Sequence, residues 1–320
     1  MRLSRLLALI ALAPAVAVAQ GYPAKPLRVV VPFPPGGGVD IVARAMSEKL
    51  SSRLGQPIVI ENKPGAGMQI GTDAVAKSPP DGYTLYVGPV GSQAIVQLMH
   101  GRRNFDFRRD LAPVARIGYG TVALIVPASS RAQSVKDLVA LARASPGRMT
   151  YASSGTGALI HLTGELFKQQ AGVDMTHVPY KGTTQILPDL LDGRIDMALD
   201  SLPAYLTHLK AGRVRALAVA SPQRSAQLPD VPTMAEVGLP GVLSQTDYTV
   251  YVPMGTAKES IARLNREVNA VLRDEELRGK LAAQGIRIEP GTPAELAAEF
   301  DEELAKWGRV MREANVKPES

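Results

Sequence analysis

The stretch from Leu27 to Met46 constrains the fold more than any other part of this sequence. It opens with a short β-branched run, Leu27–Val31, which is typical of a strand buried on both faces. Prolines and three consecutive glycines follow, and apolar residues then recur at helical spacing. We therefore predict a strand, a glycine-rich turn and a helix. The start of such a helix presents free N–H groups and the positive end of its dipole, so the turn either binds an anion or only makes a tight connection.

Composition excludes several classes of protein. The chain has 320 residues, 45% apolar and 21% charged, which is ordinary for a globular protein of one large or two medium domains. It has no cysteine, so disulfides, thiolate metal sites and a cysteine nucleophile are excluded. Its four histidines are not spaced as metal ligands on a helix, and we expect neither a metal nor a cofactor. The net charge of +6 comes without any block of Lys or Arg, which argues against nucleic-acid binding.

The first residues are predicted to be a targeting segment rather than part of the fold. Arg2 and Arg5 form a positive region, and 6–18 is an apolar core of signal-peptide length. Ala17-Val-Ala19 then gives an A-x-A cleavage pattern, so residues 1–19 are predicted to be a signal peptide. The alternative is an uncleaved membrane anchor, for which the apolar run is short.

Strands and helices alternate through the rest of the chain in two similar blocks. Short apolar runs at 58–60 and 84–87 predict further strands of a parallel sheet, and the run at 122–126 predicts another buried strand. The polar segment 101–110 predicts a surface loop. A second strand, glycine-rich turn and helix is predicted at 149–152, 153–157 and 158–170. Two such blocks predict two α/β domains, with a signal peptide at 1–19, a discontinuous first domain at 20–126 and 247–320, and a second domain at 127–246.

Capping patterns mark three of the predicted helices. Ser134 and Asp137 precede a helix at 135–144, and Thr292 and Glu295 have the spacing of a capping box at the start of the last helix. Thr233 and Glu236 have the same spacing and predict a short helix. Strands at 248–252 and 286–288 enclose two helices, and these C-terminal helices are expected to complete the first domain.

The two glycine-rich helix starts carry the functional prediction. If they face each other across an interdomain cleft, their backbone donors would hold one anionic group. A serine hydrolase is a remote alternative, with Ser153 or Ser154 as nucleophile and His161 or His177 as base, but the chain has no G-x-S-x-G elbow.

For other polar residues near these turns, the sequence allows either a contact with the ligand or a purely structural role. Lys181 would neutralise a carboxylate or remain in solvent. Asp200 and Ser201 would contact the far end of a ligand or cap a helix, and Asp40 would contact the ligand or favour its own helix dipole.

The ordered motifs of the chain closely resemble the Bug-type extracytoplasmic receptors of tripartite tricarboxylate transporters. The motifs that carry the resemblance are Tyr22-Pro-Ala-Lys-Pro26, Val31-Pro-Phe-Pro-Pro-Gly-Gly-Gly-Val-Asp40, Glu61-Asn-Lys-Pro-Gly-Ala-Gly67, Asp81-Gly-Tyr-Thr84, Tyr151-Ala-Ser-Ser-Gly155, Val178-Pro-Tyr-Lys-Gly182, Leu228-Pro-Asp-Val-Pro-Thr233 and Pro253-Met-Gly-Thr256. Met68 and Gln69 depart from the family, which commonly has a glycine and a small polar residue there.

The resemblance implies a type II periplasmic binding-protein fold, in which two α/β domains close on a ligand between them. It implies a periplasmic receptor, not an enzyme, that captures a small di- or tricarboxylate or acidic amino acid and delivers it to a membrane permease. In some relatives the ligand is instead presented to a sensor kinase. We expect a monomer. The candidate ligand-binding residues are Phe33, Pro35, Gly36, Gly37, Gly38, Asp40, Ser92, Ser153, Ser154, Gly155, Thr156, Gly157, His161, Tyr180, Lys181, Asp200 and Ser201.

Overall fold

The computed structural model of the protein describes residues 21–100, 105–180 and 182–317. The strands are β1 (Leu27–Val31), β2 (Ile58–Asn62), β3 (Thr84–Gly88), β4 (Leu111–Pro127), β5 (Thr150–Ser153), β6 (Thr176–Pro179), β7 (Met197–Ser201), β8 (Val214–Val219), β9 (Gln245–Pro253) and β10 (Ile286–Gly291). The α-helices are α1 (Gly38–Leu54), α2 (Gln69–Ala76), α3 (Val90–His100), α4 (Phe107–Asp110), α5 (Val135–Ala144), α6 (Leu159–Ala171), α7 (Thr183–Leu191), α8 (Leu206–Lys210), α9 (Lys258–Val271), α10 (Glu275–Ala283) and α11 (Pro293–Glu313).

The strands form two sheet regions that share β4. In the first region β2, β1 and β3 are parallel, β9 is antiparallel to β3 and β4, and β10 pairs with the other edge of β4. In the second region β6, β5 and β7 are parallel, and β7 and β8 pair antiparallel with β4. We call the first region with its helices the first lobe, and the second region with its helices the second lobe.

β4 passes from one lobe to the other within two residues. Thr121 is the last residue of β4 paired with β9, where its partner is Gln245, and Val122 is paired with Ser201 of β7. The predicted strand at 122–126 is therefore correct but is only the second half of a 17-residue strand. The first half was missed because it contains Pro113, Gly118 and Gly120, which are uncommon within strands. Pro113 and Gly118 lie at irregularities in the pairing with β9.

Each sheet region is buried on both faces, as the β-branched strands predict. In β1, Val29 and Val31 pack with α1, α9 and α10 on one face, while Val30 packs with α2, α3 and α11 on the other. The second lobe is built in the same way, with alternate β4 residues such as Leu124 and Ile125 in two separate apolar clusters. A further cluster joins the lobes, because α3 and α11 pack there against α6.

Most predicted elements are confirmed, and two are not. Phe107 begins a short helix and is 1% exposed, so 105–110 is not the predicted surface loop. Thr233 and Glu236 do form the reciprocal capping hydrogen bonds, at 2.7 and 3.1 Å, but these close a turn and no helix follows.

Some predictions lie outside the described residues. These are the signal peptide at 1–19, the part of the loop at 101–104, and Lys181. Within the described residues, no helix is both long and apolar enough to cross a membrane.

Candidate functional site

The pairing directions bring the two predicted turns to opposite sides of one cleft. β1 and β3 run parallel to β4, so their carboxyl ends lie at the edge where β4 reaches Gly120. β5 and β7 run antiparallel to β4, and their carboxyl ends lie beside Val122. The turn after β1 and the turn after β5 therefore face each other across the crossing point of β4.

The first turn, from Phe33 to Asp40, ends in an uncapped helix. Gly36 has φ +86°, a conformation that favours glycine, and Gly37 is the extended N-cap of α1 with no side-chain hydrogen bond to the helix. Ile41 N–H bonds Gly37 O at 2.9 Å, which leaves the N–H groups of the three preceding helical residues without partners inside the helix. These donors are available to an anion.

Asp40 holds this turn together from inside. It is 2% exposed; its Oδ2 accepts from Gly36 N–H at 2.9 Å and from Arg44 at 2.8 Å, and its Oδ1 accepts from Asn62 at 2.9 Å. Asn62 also donates to Phe33 O at 3.0 Å. Burial acts to raise the pKa of Asp40, but the hydrogen bonds from Arg44, Gly36 and Asn62 outweigh it and hold the pKa below its usual value. Both carboxylate oxygens are occupied within the protein.

The second turn, from Ser153 to Gly157, is built in the same way and also ends in an uncapped helix. Ala158, the N-cap of α6, makes no side-chain capping bond. Ser153 is fully buried, and its Oγ accepts from Gly155 N–H at 3.2 Å. Gly157 N–H donates to Nδ1 of His161 at 3.0 Å, so that N–H is not available to a ligand.

Two stacked histidines form hydrogen bonds to residues of the second turn. The rings of His161 and His177 are 3.9 Å apart between centroids, and His177 Nε2 lies 2.6 Å from Ser153 Oγ. Burial lowers the pKa of both histidines, and with the neighbouring His161 it lowers that of His177 to about 4. Both rings are neutral at pH 7, and His161 carries its proton on Nε2 because Nδ1 accepts.

The pairing of Ser153 with His177 is not a catalytic triad. No carboxylate among the described residues bonds the other nitrogen of His177, and Ser153 also donates to Gly155 O at 3.0 Å. A serine nucleophile requires a base that is oriented by a third group. The hydrogen bonds instead fix the shape of the turn.

The side chains of Tyr180 and Asp200 are engaged within their own lobe. Tyr180 N–H bonds Ser153 O at 2.8 Å and so lies beside the second turn, but its hydroxyl donates to Asp189 at 2.7 Å. Asp200 is 2% exposed and accepts from Thr183, from Tyr205 and from the N–H of Ser201 at 2.7–3.1 Å. Burial raises its pKa.

Ser92 lies in the first turn of α3, at the end of β3. The two N–H groups that precede it, those of Val90 and Gly91, donate to the carboxylate of Asp247 on β9. This third helix start is thus already occupied by a carboxylate of the chain itself.

A cavity of about 460 Å³ lies at the far side of the crossing strands, near β10 and α10. Thr121, Gln245, Arg278 and Arg287 are among its walls, and none of the predicted ligand-binding residues is. The described residues contain no group of three or more His, Asp or Glu side chains placed to hold a metal ion.

Two α/β lobes joined by crossing strands, with helix starts aimed into the cleft between them, define a bilobed solute-binding protein. A family profile described as "Tripartite tricarboxylate transporter family receptor" matches residues 42–316. The chain belongs to this family of receptors, which are not enzymes, and it has the type II periplasmic binding-protein fold.

Individual relatives agree with this assignment. Protein BugT of Bordetella pertussis is 37% identical over 324 residues, which cover 99% of each chain. An R. palustris protein solved with adipate is 37% identical with a TM-score of 0.83, covering 93% of this chain and 100% of its own. MatC of Rhodopseudomonas palustris, solved with bound malate, is 30% identical with a TM-score of 0.78, covering 90% and 99%.

Proposed function

We propose that this protein is a periplasmic receptor that binds a small organic carboxylate, of the di- or tricarboxylate or acidic amino-acid class, between the turns 33–40 and 153–157. The observation that carries the proposal is the pair of uncapped helix starts, α1 and α6, on opposite sides of the cleft. Helix starts of this kind stabilise a carboxylate through N–H donors and the helix dipole. The adipate and malate in the two related structures support this ligand class.

The acidic residues beside the cleft are compatible with an anionic ligand. Asp40 and Asp200 turn their oxygens toward donors of their own lobe, so neither is left as an unpaired charge facing the cleft. The ligand would thus be held mainly by neutral backbone groups. Delivery to a membrane permease of a tripartite transporter follows as the role of such a receptor.

The test is direct binding measured by calorimetry and thermal shift, with adipate, malate and a panel of other organic acids. A ligand at 100 times its Kd would stabilise the protein by about 2.7 kcal/mol, because it binds only the folded state. Absence of any stabilisation across a broad anion panel would contradict the proposal.

Gly37→Val tests the first turn. Gly37 has φ −77°, which valine adopts, and a Cβ there would be 3.8 Å from its nearest neighbour, Pro34 O. The variant should fold normally but bind at least about tenfold more weakly, since the side chain obstructs close approach to the backbone. Gly279→Val is the matched control, because a Cβ at that exposed position of α10 meets nothing within 4 Å.

We propose that the domains are divided close to the predicted limits of 20–126 with 247–320 and 127–246, with the first boundary nearer Thr121 because the rest of β4 pairs with β7 and β8. The passage of β4 between lobes at Thr121 and Val122, and the return through β9, support crossings close to these limits. Limited proteolysis in the absence of ligand would locate the segments between the domains.

We also propose export by a cleavable signal peptide at 1–19 and a monomeric mature protein. Mass spectrometry of the protein from the periplasm should give an N-terminus at Gln20, and light scattering should give the mass of one chain. Presentation of the ligand to a sensor kinase is the alternative to delivery. In that case, deletion of the periplasmic domain of the sensor would abolish the response and leave uptake intact.

A further inference from the structure

Tyr248 of β9 is an almost fully buried residue whose hydroxyl has no hydrogen-bond partner among the described residues. The residue is 1% exposed. Seven of the nine tyrosines do have a hydrogen-bond partner at their hydroxyl, and Tyr251 is the other exception. Polar groups of buried residues in native proteins nearly always have partners. The hydroxyl of Tyr251 is fully buried, whereas that of Tyr248 is not, so an unpaired hydroxyl at Tyr248 requires its own explanation.

The position of this hydroxyl supplies one. A Cβ built on Gly38, the first residue of α1, would lie 2.9 Å from Tyr248 Oη, and a Cβ built on Gly120 of β4 would also lie 2.9 Å from it. Side-chain carbons do not approach an oxygen this closely without displacement. The hydroxyl therefore occupies a space between two backbones that is available only because both residues are glycine, directly beside the uncapped start of α1.

The groups around the Tyr248 hydroxyl favour a ligand that accepts hydrogen bonds. The first turn of α1 offers N–H donors and a positive dipole end, and the oxygens of Asp40 are occupied by Gly36, Arg44 and Asn62. Burial, and then the neighbouring Asp247, raise the pKa of Tyr248 well above its usual value, so the phenol keeps its proton. A neutral hydroxyl and free N–H groups together form a donor set that suits a carboxylate.

We propose that the Tyr248 hydroxyl donates a hydrogen bond to the ligand carboxylate held at the start of α1, and that it selects ligands whose carboxylate reaches the floor of the cleft. This inference rests on the proposed carboxylate-binding function and deepens it. Tyr248 was not among the residues predicted from the sequence, where it reads only as part of an apolar strand.

The test compares Tyr248→Phe with Tyr251→Phe by calorimetry, using adipate, malate or the acid that the wild type binds best. Tyr248→Phe should weaken binding about tenfold, because a hydrogen bond to a charged group is lost. Tyr251 lies on the same strand, is 3% exposed and also has an unpaired hydroxyl, but it faces the opposite side of the sheet against Phe107. Tyr251→Phe should leave affinity within about twofold of the wild type.

A second variant tests the same contact without removing the hydroxyl. Gly120→Ala should also weaken binding about tenfold, because the new Cβ displaces Tyr248 Oη. In the Tyr248→Phe background the same substitution should have much less effect, since the nearest remaining ring atoms are 3.2 and 3.4 Å away. Such non-additivity is expected of two groups that act through one contact.

The outcomes are distinguishable. If the wild type binds no carboxylate, the proposed function itself fails. If the wild type binds and Tyr248→Phe binds equally well, or if both phenylalanine variants lose affinity equally, the role of Tyr248 is overturned. If Tyr248→Phe does not fold, as judged by its melting temperature, unchanged affinity in Gly120→Ala overturns the inference and a tenfold loss supports it.

Discussion

His161 and His177 fix the shape of the second turn only while both are neutral. Gly157 N–H requires an acceptor at His161 Nδ1, and a protonated ring would present a donor there instead. His177 bonds Ser153 Oγ at 2.6 Å, stacks on His161 and lies near Lys168, whose positive charge further opposes protonation. Tyr151 also stacks on His177, with ring centroids 5.0 Å apart, and the Tyr151 hydroxyl donates to Glu165. Protonation of His161 would remove the acceptor for Gly157 N–H, and protonation of His177 would place a buried charge near Lys168.

This arrangement predicts a loss of stability in mild acid. The pKa of His177 is lowered from 6.5 to about 4 in the folded protein, so the unfolded chain binds the extra proton first as the pH falls. The stabilisation is therefore complete above about pH 6.5 and is lost progressively toward pH 4. His177→Gln, which can still bond Ser153 but does not titrate, should show a smaller decline in melting temperature over this range.

His100→Gln, at the end of α3 and outside the stack, is the control for that measurement. It should retain the acid-induced decline of the wild type. An equal decline in His177→Gln and wild type would mean that the histidine stack does not determine the acid sensitivity.

The start of α3 is held by a carboxylate cluster that spans three elements. Asp247 of β9 accepts from Val90 and Gly91 N–H, the latter at 3.0 Å. Glu299 and Glu303 of α11 lie nearby; Glu299 accepts from Tyr119 at 2.8 Å, and Glu303 accepts from Trp307 Nε1. Burial, and then the charge of Glu299, raise the pKa of Asp247. Asp247 therefore holds its proton more tightly in the folded protein than in the unfolded chain.

Asp247→Asn should reveal this raised pKa in the pH dependence of stability. The folded wild type retains a proton that the unfolded chain releases near pH 4, so the contribution of Asp247 to wild-type stability falls as the pH rises above about 4. Asn does not titrate, and the free energy of unfolding of Asp247→Asn relative to wild type should therefore increase between pH 5 and pH 9, as measured by urea denaturation. A relative decrease would instead mean that the dipole of α3 keeps the carboxylate charged.

Local patterns predicted the elements well, because strand and helix signals depend on near neighbours in the chain. The buried runs of β1 and β3 and the capping box of α11 are confirmed, the last with both reciprocal hydrogen bonds present. The first half of β4 was missed because its stability comes from β9 and β10 on either side, not from its own composition.

Tyr248 was missed for a related reason. Its role depends on Gly38 and Gly120, which are 210 and 128 residues away and meet it only in the folded sheet.

At the scale of the whole molecule, one apolar cluster joins the two lobes. Met99 of α3, Leu162 of α6 and Trp307 of α11 are members of it, and a Cβ on Gly157 of the second turn would lie 2.8 Å from Met99 Cε. The second turn therefore rests on a helix of the first lobe. This packing should make the lobes unfold together and should transmit displacements of α6 to the cleft.

Leu162→Ala should weaken that coupling. Leu162 is fully buried, and its truncation should lower the free energy of unfolding by about 2–5 kcal/mol and loosen α6 from α3 and α11. Leu190→Ala is the matched control, because Leu190 is equally buried but lies in a cluster confined to the second lobe.

In differential scanning calorimetry we expect Leu162→Ala to raise the ratio of calorimetric to van't Hoff enthalpy above one, as the two lobes begin to unfold separately. Leu190→Ala should lower the melting temperature while the transition remains single. Identical enthalpy ratios in the two variants would show that the coupling between the lobes depends on the crossing strands β4 and β9 and not on this cluster.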